Sequence, residues 1–114
     1  MECIRLSPPD IDVVYLLSVK YHRTRGDVIL AACDSELLGM RFVDGEKRIE
    51  VYRSFYEGYE IREEELGEHL SKATIANLVG ERSVQAAVEL GYISPSRILL
   101  IGKVPHAQFA LLFK

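Results

Sequence analysis

The block Ile75 to Gly91, IANLVGERSVQAAVELG, limits the fold more tightly than any other part of this chain. An apolar run, Ile75 to Val79, reads as a short strand and stops at a single glycine. A helical pattern follows at once from Glu81 to Leu90, with Val84, Ala87 and Val88 on its inward face. Gly91 then supplies the left-handed residue that commonly follows a helix. A strand, a glycine and a helix start together form either a phosphate site or a structural corner, and the residue types decide between them. A helix N-terminus attracts phosphate through free N–H groups and its dipole. Strong phosphate fingerprints carry several glycines, or a lysine followed by a hydroxyl. This block has only Gly80 before the helix, and Glu81 sets a carboxylate in the first turn where it competes with an anion. Arg82 offsets that charge in part. The corner is the favoured reading.

The remaining chain supplies strands. LSPPD near the start is broken by two prolines and reads as a loose arm over residues 1–11. VVYLLSVKYHR reads as a central strand covered on both sides, with burial fading towards Lys20 and His22. TRGD is a turn, and VILAAC a second buried strand, so a hairpin is expected. DSELLG suggests one helical turn, capped by Asp34 or Ser35 and ended by Gly39. MRFVDGEKRIEVY is a hairpin pattern, with Asp44-Gly45 suited to a type I′ turn. Glu60 to Lys72 reads as a surface helix with glutamates in its first turns and a thin apolar stripe (Ile61, Leu66, Leu70, Ala73). Glu65–His69 and Glu68–Lys72 have the spacing of i,i+4 pairs. SPSR is a turn, ILLI a buried strand, GKVPH a break and AQFALLF the last strand. The expectation is a single α+β domain over residues 12–114, with a mixed, mainly antiparallel sheet and two main helices.

At 114 residues the chain is long enough for one core without disulfide staples. No apolar run approaches bilayer length, and the first residues lack the basic and apolar regions of a signal peptide. Cytoplasmic location and reduced thiols at Cys3 and Cys33 are expected, with no membrane partner. The net charge of −3 argues against bulk attraction to nucleic acid. That charge is uneven. Residues 57–68 carry −5, which leaves +2 on the rest.

Three other places bear chemistry-competent residues. In KVPHAQ, Pro105 imposes a rigid break that presents His106 and Gln108, either as a general base or as a hydrogen-bonding pair for a base or sugar. A proline-marked turn with a locally bonded histidine is the favoured reading there. Cys33 beside His22 or His106 has the makings of a nucleophile only with a depressed pKa, and a buried cysteine is the simpler assignment. KYHRTR places Lys20, His22, Arg23 and Arg25 around Tyr21, which suits phosphate contacts with a stacked base as well as it suits a solvated strand end. The three histidines show no metal-ligand spacing. No metal and no cofactor is expected.

RGDVILAACDSELLG, ATIANLVGERSVQAAVELG and GKVPHAQ, in that order, resemble an archaeal family of uncharacterised proteins, domain-of-unknown-function family 424. The likeness spans roughly Tyr15 to Phe109. Met40 departs from it, standing where the family commonly carries a lysine. The resemblance implies a small cytoplasmic archaeal protein with no activity or cofactor assigned. It marks Asp34, Asn77, Gly80, Glu81, Arg82, His106 and Gln108 as positions of interest.

Three functions compete on these grounds. The first is a non-enzymatic binding module for RNA or a translation-associated protein, using Lys20, Tyr21, His22, Arg23, Arg25 and Arg82. The second is a small enzyme acting on a nucleotide or other anion, in which Asn77, Glu81, Arg82 and His106 share a pocket with Gly80 and Gln108. The third is a protein-interaction subunit that offers the acidic face Glu60–Glu68 to a basic partner. Oligomeric state is left open.

Overall fold

The computed structural model describes residues 15–111; the expected arm over 1–11 and any pairing of Cys3 lie outside the described residues. The chain forms β1 (Leu17–Thr24), β2 (Asp27–Asp34), a 3-10 turn (Ser35–Leu37), β3 (Arg41–Asp44), β4 (Lys47–Glu50) and α1 (Arg53–Tyr56). It continues with β5 (Tyr59–Ile61), a 3-10 turn (Glu63–Glu65), α2 (Leu66–Leu70), β6 (Ile75–Val79) and α3 (Glu81–Glu89). A third 3-10 turn (Pro95–Arg97), β7 (Leu99–Ile101) and β8 (Val104–Ala110) complete it. Six strands make one sheet in the order β5-β1-β2-β6-β8-β7, and β3–β4 form a separate hairpin. Only β2 and β6 pair in parallel; every other neighbour is antiparallel. The architecture is α+β, as the order of patterns in the sequence implies.

Strand alternation sorts the core into two layers. Leu17 and Val19, Leu30 and Ala32, Ala76 and Leu78, and Ala107 point to the face covered by α2 and α3, where Leu66, Leu70, Val84 and Ala87 meet them. Ala31, Cys33 and Val79 point to the other face and pack with Val51 and Tyr56. Helix α1 is too short to satisfy its own last carbonyls. Strand β1 does that instead: Ser18 Oγ donates to the Tyr56 carbonyl, Lys20 Nζ to that of Ser54, and His22 Nε2 bonds that of Phe55, each at 2.8 Å. Three alternate residues of one strand thus hold the short helix down.

Five local expectations change, most because tertiary pairing outweighs local propensity. The helix expected over Glu60–Lys72 is a strand, a 3-10 turn and a five-residue helix. Ile61 is buried opposite Leu17 at the sheet edge, which costs the glutamate-rich segment its first turn. His69, expected to pair with Glu65, instead contacts the Tyr21 hydroxyl through Nδ1 at 2.6 Å, while Glu68 and Lys72 do meet at 3.7 Å. In the β3–β4 hairpin Asp44 pairs with Lys47, so Gly45-Glu46 form the loop. Gly45 has φ 65° and no non-glycine residue among those described has positive φ, which fits a type II′ rather than a type I′ turn.

The ILLI segment is an edge strand, not a buried one: Leu99 and Leu100 are 43% and 53% exposed. GKVPH is not a break between strands either, because Gly102-Lys103 form the turn and Val104, Pro105 and His106 already belong to β8. A proline is tolerated here for a specific reason. The Pro105 carbonyl accepts the Gly80 N–H at 2.9 Å, and the Gly80 carbonyl is taken by Val84 N–H at 3.0 Å, so no donor is wanted from position 105.

Gly58 lets β5 reach β1. A Cβ there would press into the Val19 carbonyl oxygen and lie 3.1 Å from Lys20 Cα, both rigid backbone. Gly58→Ala should therefore lower unfolding free energy by about 1–3 kcal/mol in urea titrations, through overpacking at the sheet edge.

Candidate functional site: an acid-rich corner and the groove beside it

The corner at Gly80 is held from a distance. Gly80 has φ +109°, and a side chain there would collide with the Asp34 carboxylate, whose Oδ2 lies 2.7 Å from the Cβ position. That carboxylate, only 3% exposed, caps α3. Asp34 Oδ2 accepts the Arg82 N–H at 3.1 Å, and Oδ1 accepts both the Ser83 N–H and the Ser83 hydroxyl at 2.9 Å. The place where a phosphate would sit is therefore filled by the protein's own anion. The local sequence offered Asp34 to the turn that follows it; that turn has no side-chain cap, and Asp34 serves a helix 48 residues away. The available hint was Gly80 itself, a helix-capping position with no side-chain acceptor.

Arg82 gathers the surrounding carboxylates. Its guanidinium bonds Glu36 and lies 3.9 Å from Asp34 and 3.7 Å from Glu63, with its carbon 4.5 Å from the Tyr15 ring centre. These contacts join four chain segments. Three carboxylates face one guanidinium, so the corner keeps a negative excess, and Glu81 adds to it. Burial raises the Glu36 pKa, but hydrogen bonds from Arg82 and its own backbone, with the Arg82 charge, outweigh that and leave it below the usual range. Glu36, Glu63 and Tyr15 were not singled out in sequence, because nothing local places them beside Arg82.

The candidate residues separate into two groups. Asn77 pairs with Gln108, and Val79 with His106, so Asn77, Gln108 and His106 share the face of the sheet opposite α3. Gly80 and Pro105 are bonded neighbours, but the two concavities that Arg82 lines among the described residues do not include His106. Burial lowers the His106 pKa, which keeps the ring neutral near pH 7. Burial, then the charges of Asp34 and Glu36, push the Cys33 thiol up to about 12, the opposite of an activated nucleophile. In the basic cluster, Lys20 and His22 are bonded to α1 carbonyls, His22 stacks on Phe55 with centroids 4.5 Å apart, and Tyr21 is bonded to His69. Arg23 and Arg25 are the exposed members.

Beside the corner, α3 and β7 enclose a groove of about 670 Å³. Its apolar wall comes from Pro95, Ile98, Leu100 and Pro105, and its rim from Glu63, Glu81 and Glu89 with Arg82. Glu81, Gln85 and Glu89 fall at i, i+4 and i+8, one stripe of α3. A smaller hollow of about 320 Å³ on the corner itself is lined by Asp34, Glu36, Glu81, Arg82 and Lys103 among others. No group of three or more His, Cys, Asp or Glu side chains among the described residues is arranged to hold a metal ion. No helix among them is long and apolar enough to cross a membrane.

An α+β domain with a parallel strand pair at its centre and an internally capped corner defines the class. Residues 22–112 match the family described as protein of unknown function (DUF424), and the chain belongs to that family. Its fold is similar to the crystal structure of an uncharacterized conserved protein from Methanopyrus kandleri, with a TM-score of 0.71 and 26% identity, over 87% of this chain and 94% of that one. No curated protein matches the chain.

Removing the cap leaves two N–H groups of α3 without acceptors. Asp34→Ala should cost about 2–3 kcal/mol in chemical unfolding, at the upper end for a lost cap. The depressed Glu36 pKa carries a sign. A carboxylate held below its unfolded value stabilises the fold above about pH 4.5 and loses that contribution as pH falls through its folded value. Acid titrations of unfolding should show a shallower decline below pH 5 for Glu36→Gln than for the native chain.

Proposed function

We propose that this chain is a non-enzymatic binding module whose α3–β7 groove holds an apolar, basic segment of a protein partner. The observation that carries this reading is the pairing of an exposed apolar wall, with Leu100 53% exposed, and an acidic rim of Glu63, Glu81 and Glu89. Apolar side chains of the partner bury against Ile98 and Leu100, while lysine or arginine side chains meet the glutamates. The acidic segment Glu60–Glu68 thus contributes through Glu63, and α3 supplies the other two carboxylates.

RNA is the second reading, and Arg23 and Arg25 favour it because both residues are exposed, Arg23 with its guanidinium carbon 5.7 Å from the Tyr21 ring centre. It has fewer available groups than the sequence suggested, since Lys20, Tyr21 and His22 are committed to internal bonds. The enzymatic reading has no single pocket that joins Arg82 to His106.

Affinity capture from archaeal lysate, with the native chain and a Glu81→Lys/Glu89→Lys chain as baits, separates these readings. A basic protein retained by the native bait, resistant to nuclease, released at high salt and lost from the double variant is the expected result. Equal retention by both baits removes the groove reading, and nuclease-sensitive retention transfers the assignment to RNA.

A further inference from the structure

Among the described residues, the sheet has an unpaired margin beyond the end of β7. Strand β8 runs to Ala110, but β7 covers only Val104 to His106. Gly80 N–H bonds the Pro105 carbonyl, and Leu111 N–H bonds that of Thr74, so the odd-numbered backbone groups of β8 face β6. By alternation the even-numbered groups face outward; His106 meets Leu99, while Gln108 and Ala110 have no strand opposite them among the described residues. The chain returning from α3 passes this margin through Tyr92, Ile93, Ser94 and the turn ending at Arg97. Between them lies a concavity of about 570 Å³.

The lining is chemically specific. Tyr92 and Phe109 stack with centroids 5.3 Å apart at 22°, giving one wall an aromatic flank. Gln108 brings its outward backbone N–H and C=O at the margin, while its side chain lies with that of Asn77 on the sheet face opposite α3. Ser94 brings a hydroxyl. Arg97 brings an exposed guanidinium with no carboxylate within ion-pair distance among the described residues, unlike Arg53 and Arg82. We infer that this concavity binds a nucleotide, either free or as the phosphorylated end of an RNA strand. The base lies against the Tyr92–Phe109 stack, with its polar edge read by the outward backbone N–H and C=O of Gln108. The phosphate is held by Arg97 and the Ser94 hydroxyl. The volume falls within the roughly 300–1,000 Å³ of small-ligand sites. Gln108, singled out in sequence as a partner for a base or sugar, acts here through its backbone and without His106, which pairs with Leu99 of β7.

This site is separate from the α3–β7 groove, and its test involves neither Glu81 nor Glu89. Amide and aromatic signals of the full-length chain are followed by NMR during titration with AMP, UMP, adenosine and a 5′-phosphorylated trinucleotide. AMP should shift Tyr92, Phe109 and Gln108. Arg97→Ala should weaken AMP roughly tenfold, as expected for one lost charge-assisted contact, and leave adenosine unchanged. Tyr92→Leu, which removes the aromatic face and keeps apolar bulk, should weaken nucleotide and nucleoside alike. Tighter binding of the trinucleotide than of AMP assigns the site to RNA ends, and equal binding assigns it to free nucleotides. No shift with any of the four ligands at millimolar concentration overturns the inference. Undiminished AMP affinity in Arg97→Ala does so as well.

Discussion

The Asp34 carboxylate is the contact on which the rest of this structure depends. It leaves the end of β2, enters the N-terminus of α3 and satisfies two backbone donors and a hydroxyl there. A buried carboxylate is tolerated because each oxygen has a donor and because the helix dipole favours negative charge at that end. The contact ties the parallel strand pair β2–β6 to the helix that follows β6. It also explains Gly80, since any side chain at that position would occupy the space of the cap.

Charge organisation follows from that choice. Once the helix N-terminus is filled by Asp34, the corner is closed to external anions, and Arg82 is drawn into the carboxylates of Glu36 and Glu63. The acidic excess then spreads along the exposed stripe of α3 to Glu89 and faces the apolar side of β7. The opposite end of the same helix leads into the Tyr92–Arg97 segment, where Arg97 stands apart from carboxylates. One short helix therefore separates two surfaces of different character, acidic and apolar at its start, aromatic and basic beyond its end.

The basic cluster on β1 teaches a complementary lesson. Lys20 and His22 have the composition of a nucleic-acid contact, yet alternation turns them with Ser18 towards α1, a helix of four residues whose carbonyls need donors. The demand of backbone groups for partners claimed these side chains. Nothing in KYHRTR announces that demand, because its cause lies more than thirty residues downstream.

Sequence by itself determined the local units: the β1–β2 hairpin, the β3–β4 hairpin, the strand–glycine–helix block and its closure at Gly91. Each rests on contacts between residues close in the chain, where apolar periodicity and glycine conformation act directly. It also pointed to Asn77, Gly80, Glu81, Arg82, His106 and Gln108, though as one pocket. Only the tertiary structure decided that pairing in the sheet sends Asn77, His106 and Gln108 to one face, and that Arg82 turns to a cluster of acids on the other. Sheet order, the role of Asp34 and the shortening of the acidic helix belong to the same class. All depend on which distant backbone and carboxylate groups satisfy one another, and a one-residue change in strand register would reverse every facing, so no local pattern can carry that information.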